Sequence, residues 1–162
     1  MIVELVVSLD KNNCMGSSVQ EMSGEDPAEK KWFREWLLQR LSDALIVLGR
    51  RTRQAMGAYA LKLQKAYPNS TWAVVSRQSK PLDELMADPH IKKRYKRVLI
   101  LGGQAVFDAA LRQGYVDQVW VARIPYERRG DLYLIMSDYK NYTLIEQHQY
   151  TGFNVEIYFK NK

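Results

Sequence analysis

The sequence predicts an α/β fold of one domain, residues 1–162, in which a mostly parallel central sheet carries helices on both faces and ends in antiparallel C-terminal strands. Three observations predict it. Short strand-like runs alternate with segments of helical periodicity through the first two thirds of the chain, the pattern of parallel strands joined by crossover helices. The first run, Val3 to Leu9, alternates poorly but is rich in β-branched residues, as a strand buried on both faces should be. The last third instead offers Tyr142 to Gln149 and Asn154 to Phe159 in succession, which suits a final antiparallel pair.

After the first strand, Asp10-Lys11-Asn12-Asn13 supplies a turn. Ser17 to Asp26 is polar with glycines at its margins and reads as a surface loop long enough to move. Pro27 sits where first-turn prolines are favoured. Trp32, Phe33, Trp36, Leu37 and Leu41 follow at helical spacing, which predicts an amphipathic helix from about residue 27 to 41. Ala44 to Leu48 is a short apolar strand ending at Gly49, and Thr52 to Ala66 forms another helix that Gly57 can divide. Trp72 to Val75 is a strand, Pro81 to Met86 a short helix, and Val98 to Leu101 a strand that runs into Gly102-Gly103. Gln104 to Arg112 is helical and Gln118 to Ile124 a strand. No repeat, low-complexity tract or interdomain linker interrupts the series.

Composition narrows the function classes. With 162 residues the chain can bury a sizeable apolar core without disulfide or metal. Cys14 is the only cysteine and His90 and His148 lie far apart, so the usual metal-ligand spacings are absent and a reducing compartment is expected. The opening apolar run is broken by Glu4 and carries no basic leader, and no stretch approaches the roughly 20 apolar residues of a membrane helix. The expectation is a cytoplasmic protein. The net charge of +6 suits either a nucleic-acid surface or a pocket for a small polyanion. Its densest cluster, Lys92, Lys93, Arg94, Lys96 and Arg97, reads as a solvated connector before a strand, and no nucleic-acid module accompanies it. Cys14 reads as a small packed residue, Trp120, Tyr133 and Tyr139 as core or edge aromatics, and His148 as structural or exposed.

Glu29 is the most informative residue. A helix advances about 100° per residue, which places Glu29 in the middle of the arc of Trp32, Phe33, Trp36 and Leu37. A carboxyl facing inward there loses solvation, which raises its pKa and suits proton supply near neutral pH. The plainer alternative is a first-turn acid favoured by the helix dipole and reaching solvent. Three strand ends, meanwhile, carry anion-binding chemistry. Gly102-Gly103 opens a helix, where bare amides attract a phosphate. Gly49-Arg50-Arg51-Thr52 does the same, and Ser76-Arg77 adds a hydroxyl and a guanidinium. Carboxyl ends of parallel strands line the ligand crevice of an open α/β sheet, so these three could serve one long anionic cofactor. Neither G-x-G-x-x-G nor G-x-x-x-x-G-K-[ST] is present.

Over nearly the whole chain these residues resemble the dihydrofolate reductase family. Val7-Ser8-Leu9-Asp10-Lys11-Asn12-Asn13-Cys14-Met15-Gly16 is similar to its first strand and turn, and Pro27-Ala28-Glu29-x-x-Trp32-Phe33 to the helix of its catalytic acid. Val47-Leu48-Gly49-Arg50-Arg51-Thr52, Val74-Val75-Ser76-Arg77 and Ile100-Leu101-Gly102-Gly103-Gln104-Ala105-Val106-Phe107 are similar to its cofactor segments, and Gly130-Asp131 to its motif near the final hairpin.

The resemblance implies the three-layer dihydrofolate reductase-like fold and an NADPH-dependent reductase with Glu29 catalytic. It implies cofactor contacts at Val7, Met15, Gly16, Gly49, Arg50, Arg51, Thr52, Ser76, Arg77, Leu101, Gly102, Gly103, Gln104, Ala105 and Val106. Ser76 and Arg77 would select the extra phosphate, and the paired glycines would be joined by a cis peptide. Leu5, Val6, Glu29, Phe33, Leu101 and Phe107 would meet the substrate. The implied reaction is reduction of 7,8-dihydrofolate to tetrahydrofolate. Beside it, the sequence reading expects a monomer or homodimer with a small-molecule partner rather than a membrane or a nucleic acid.

The chain departs from the family pattern at Ser23-Gly24 before the acid, at Ala122, and at Asn69-Ser70-Thr71 before Trp72. Ser8-Leu9-Asp10, the run Ser42 to Val47 and the run Ala110 to Asp117 are similar to the related reductase domain of riboflavin biosynthesis, so a ribosylaminopyrimidine or pterin reductase is the alternative enzyme. A non-catalytic binding module on the same fold is the alternative outside enzymes.

Overall fold

The computed structural model describes residues 1–16, 27–134 and 140–162. The expected loop Ser17 to Asp26, with Ser23-Gly24, and Tyr139 lie outside the described residues. In chain order the elements are β1 (Ile2–Leu9), β2 (Cys14–Gly16), α1 (Pro27–Leu38), β3 (Ala44–Gly49), α2 (Arg50–Ala66), β4 (Thr71–Val75), α3 (Leu82–Ala87) and α4 (Pro89–Arg94). They continue with β5 (Arg97–Gly102), α5 (Gln104–Arg112), β6 (Gln118–Arg123), β7 (Leu132–Tyr133), β8 (Tyr142–Tyr150) and β9 (Phe153–Lys160).

Seven strands form the main sheet in the order β4-β3-β5-β1-β6-β9-β8, and β2 pairs with β7 beside it. The five strands from β4 to β6 are parallel; β9 runs antiparallel to β6 and β8 antiparallel to β9. This is the mixed α/β sheet the sequence predicts.

The strand pleat sorts side chains onto two faces. On β1, Val3, Leu5, Val7 and Leu9 enter a core shared with α3, α4 and α5 through Leu82, Ile91, Phe107, Ala110 and Leu111. Val6 enters the opposite core, with Trp36 and Leu37 of α1 and Met56, Ala60 and Leu63 of α2. β3 and β5 divide in the same way: Leu45, Val47, Val98 and Ile100 on one side, Ile46, Leu48, Leu99 and Leu101 on the other. Burying each such side chain stabilises the fold by about 1.5–3 kcal/mol, so both helical layers are held by apolar contact.

Beyond one-residue shifts, the structure differs from expectation at α1, at α2 and at the basic cluster, each for a local reason. α1 stops at Leu38 rather than near residue 41, because Arg40 turns inward and its Nη1 donates to the Trp36 carbonyl at 3.0 Å. α2 begins at Arg50 and is broken at Gly57, where φ is +52°, a conformation glycine adopts without steric cost. The basic cluster is not one solvated connector. Lys92, Lys93 and Arg94 form the last turn of α4, which Asp88 caps by accepting from the His90 N–H at 2.9 Å, with Pro89 in the first turn. Arg97 opens β5 and pairs with the buried Glu4.

Candidate active site

β1 and α1 bring the acid into place. Glu29 lies on the first turn of α1 and is 3% exposed, so its carboxyl faces the sheet rather than solvent. It shares a cleft of about 250 Å³ with Val6, Val7 and Ser8 of β1, Met15 of β2, and Trp32 and Phe33 of its own helix. Thr52, Ala55, Met56 and Tyr59 of α2, Leu101 and Gly102 of β5, Gly103, Phe107 and Ala122 complete the lining, with exposed Lys30 and Arg34 at the rim. The walls are mainly apolar and aromatic, which suits a flat heterocycle with a few polar anchors.

Ser8 and Arg128 both meet Glu29. Ser8 Oγ donates to Glu29 Oε1, and Arg128 Nη2 lies 3.9 Å from Glu29 Oε2. Arg128 is itself largely buried, with 14% of its side chain exposed. Ala122 pairs with Ser8 across the β1–β6 ladder, so β6 brings a methyl group to this end of the cleft. Nearby, burial pushes the Asp10 carboxyl up. The N–H groups of Arg128, Cys14 and Asn12, with the Arg128 charge, outweigh it and hold Asp10 below the usual carboxylate range.

A second, wider crevice of about 730 Å³ continues from the first across Thr52 and Gly103. Gly49, Arg50, Arg51, Ser76, Arg77, Gln104, Ala105 and Val106 line it. These are the carboxyl ends of β3, β4 and β5 and the starts of α2 and α5. Arg50, Arg51, Arg77 and Arg112 are exposed around it, while Asp83 and Asp108 are its acidic members. Gly102 has φ +126°, and a Cβ there would meet Phe107 at 3.3 Å and Thr52 Oγ1 at 3.4 Å. The peptide between Gly102 and Gly103 is cis. A Cβ on Gly49 would come within 3.6 Å of Val106 and 3.8 Å of the Gly103 nitrogen. The donor set fits a long anion: guanidinium groups along the rim, a hydroxyl at Ser76, and a side-chain-free floor at the start of α5.

Of the residues expected to meet a substrate, Val6, Glu29, Phe33, Leu101 and Phe107 line the first cleft and Leu5 does not. Leu5 is 0% exposed and points into the α3–α5 core, because alternation along β1 sends it to the face opposite Val6. Of the residues expected to meet a cofactor, Val7, Met15, Leu101 and Gly102 lie in the first cleft. Gly49, Arg50, Arg51, Ser76, Arg77, Gln104, Ala105 and Val106 lie in the second, and Thr52 and Gly103 in both. Gly16 closes β2 beside Met15. Sequence reasoning missed Ser8 as a partner of the acid, Arg128 beside it, and Tyr59 and Arg112 at the rims. Among the described residues, no group of His, Cys, Asp or Glu could hold a metal ion, and no helix is long and apolar enough to cross a membrane.

A mostly parallel sheet with basic and glycine stations at three strand ends, opening into an apolar cleft with one buried acid, defines a cofactor-dependent α/β enzyme. The family model described as dihydrofolate reductase matches residues 2–160, and the chain belongs to that family. It is therefore an NADPH-dependent oxidoreductase that reduces dihydrofolate. The dihydrofolate reductase of Enterococcus faecium is 26% identical over 145 residues, covering 86% of this chain and 81% of that protein. That of Gallus gallus is 33% identical over 73 residues, 43% of this chain and 39% of that protein. Among solved structures, dihydrofolate reductase from Enterococcus faecalis complexed with NADP(H) and RAB-propyl has a TM-score of 0.74 at 18% identity. It covers 99% of this chain and 97% of its own, and shares the fold.

Proposed function

We propose that this chain converts 7,8-dihydrofolate to tetrahydrofolate by hydride transfer to C6 and protonation of N5, with Glu29 organising the proton. The observation that carries this reading is a carboxyl 3% exposed in an apolar cleft that continues into the basic crevice. Arg50, Arg51, Thr52, Ser76 and Arg77 would hold the cofactor's phosphates, and Gly102, Gly103 and Gln104 its pyrophosphate. NADPH supplies the hydride when bound. Val7 and Met15 would border the reacting ring, and Phe33 and Phe107 would pack on the pterin, orienting it and excluding water. Glu29 would hold a proton at the edge of the ring, where the apolar walls strengthen its contact with the ring's polar atoms. The whole of residues 1–162 acts on this reading as one domain, as a monomer or homodimer. A single buried cysteine suits a reducing compartment such as the cytoplasm.

The test is Glu29→Gln, which keeps size and hydrogen bonding but cannot carry the proton. We expect NADPH binding to persist, measured by titration, while turnover of dihydrofolate at neutral pH falls by about 10²-fold or more. Turnover equal to that of the parent would reject the role given to Glu29.

A further inference from the structure

Arg128 lies in the segment between β6 and β7, and its guanidinium reaches back across the acid end of the cleft. Nη1 is 3.3 Å from the carbonyl oxygens of both Ser8 and Met15. Nη2 donates to Ser8 Oγ at 3.0 Å and lies 3.9 Å from Glu29 Oε2. The backbone N–H of Arg128 donates to Asp10 Oδ2 at 2.7 Å, which anchors the residue from the other side. A guanidinium has donors only and is always charged. Ser8 Oγ must therefore accept from Arg128, which leaves its own proton for Glu29 Oε1, the oxygen it meets. The polarity of the chain is fixed by this chemistry, from guanidinium to hydroxyl to carboxyl.

We propose that Arg128 is a positioning residue for Glu29: acting through the Ser8 hydroxyl, it turns the carboxyl into the cleft and favours its ionised form. The proposal rests on the reading of Glu29 given above and extends it to a residue outside the expected site. Burial disfavours a charged carboxylate, whereas a nearby cation and a donated hydrogen bond favour it. Facing the carboxyl from β6 is Ala122, which brings neither charge nor hydroxyl. From α1 itself come Lys30 and Arg34, both exposed at the rim, and from α2 the phenol of Tyr59, pushed up chiefly by burial. From the β1–β2 turn comes Asp10, which binds the Arg128 backbone and shares its field. Among the described residues, the guanidinium is joined to Glu29 through a hydrogen-bonded chain, and a cation so placed favours the ionised carboxyl.

The experiment is the pH dependence of kcat/KM for dihydrofolate in the full chain, comparing the parent with Arg128→Gln, Arg128→Lys, Ser8→Ala and Glu29→Gln. Loss of the cation weakens the ionised carboxylate, so the acid keeps its proton to higher pH. Arg128→Gln should move the midpoint at which activity falls with rising pH upward by about one unit. Arg128→Lys should return it most of the way, and Ser8→Ala should shift it in the same direction by less. A merely structural role would lower activity at all pH values and leave the midpoint in place. Unshifted midpoints in Arg128→Gln and Ser8→Ala, with Glu29→Gln inactive, would overturn the proposal and leave the role of Glu29 standing. Full activity in Glu29→Gln would remove both. Should Arg128→Gln fail to fold, the Ser8→Ala midpoint alone decides, because a serine-to-alanine change preserves the packing of β1.

Discussion

Glu4 and Ser8 both leave β1 on the α1 side, one at each end of the strand, and they do opposite work. Glu4 is 1% exposed and holds Arg40 Nε at 3.0 Å and Arg97 Nη1 at 2.6 Å. The Arg40 guanidinium also lies over the rings of Trp36 and Trp120, at 4.4 and 4.7 Å from their centroids, where cation–π attraction offsets part of its lost hydration. Burial lowers the Arg40 pKa while the Glu4 carboxylate opposes that shift. Glu4→Gln would leave two guanidinium groups facing one another without an anion. We expect it to destabilise the fold by about 3 kcal/mol, the low end for a broken buried pair because Arg97 is partly hydrated. The midpoint of urea unfolding checks this, and an unchanged midpoint would show that water screens the cluster. Helical spacing puts Glu29 on the apolar arc but leaves a first-turn acid reaching solvent open, and the family resemblance is what singles it out. Ser8, Glu4 and Arg128 are not legible in this way, because a polar residue in a strand reveals its partner only when the sheet order is known. Arg128 meets Ser8, the hydroxyl that holds the acid, across 120 positions of chain.

Strand ends carry most of what could be read in advance. The parallel order, the antiparallel tail and the helix from Gln104 to Arg112 follow from periodicity and flanking glycines, and the structure has that helix with the same bounds. The short pairing of β2 with β7 was invisible, since strands of three and two residues have no periodicity to detect. Asp88-Pro89 is the start signal of α4, but the run of like charges behind it has no apolar periodicity and conceals the helix. Gly102 tests the strand-end geometry directly. Its φ of +126° disfavours any side chain, and a methyl group would press on Phe107 and Thr52. Gly102→Ala should cost roughly 1–3 kcal/mol of stability and weaken NADPH binding, because the floor shared by the two crevices would have to move. Denaturant titration and NADPH titration on one sample separate the two effects, and parental values in both would refute the geometric argument.

The molecule as a whole should be labile to alkali. Tyr142 is buried, its hydroxyl donates to the Val116 carbonyl at 2.7 Å, and burial, helped by the charge of Asp117, pushes its phenol from 10.0 to about 12. Burial is also the chief cause raising Tyr158 and Tyr59. Below the unfolded value both states keep the proton and the contribution is complete. Between about 10 and about 12 the unfolded chain releases a proton that the folded chain must hold, so stability falls as pH rises through that window. Tyr142→Phe should flatten this alkaline decline, followed by melting temperature across the window. A decline as steep as the parent's would assign the lability to other groups.

All four tryptophans lie on one side of the main sheet: Trp36 is buried in the α1–α2 core, and Trp32, Trp72 and Trp120 pack against it. Intrinsic indole emission is therefore a one-sided witness. It reports the layer that carries Glu29, and a partly unfolded state that had shed only α3, α4 and α5 would glow much like the native protein. Any claim of concerted unfolding for this chain has to come from a probe that sees the dark side as well, such as amide hydrogen exchange along α5.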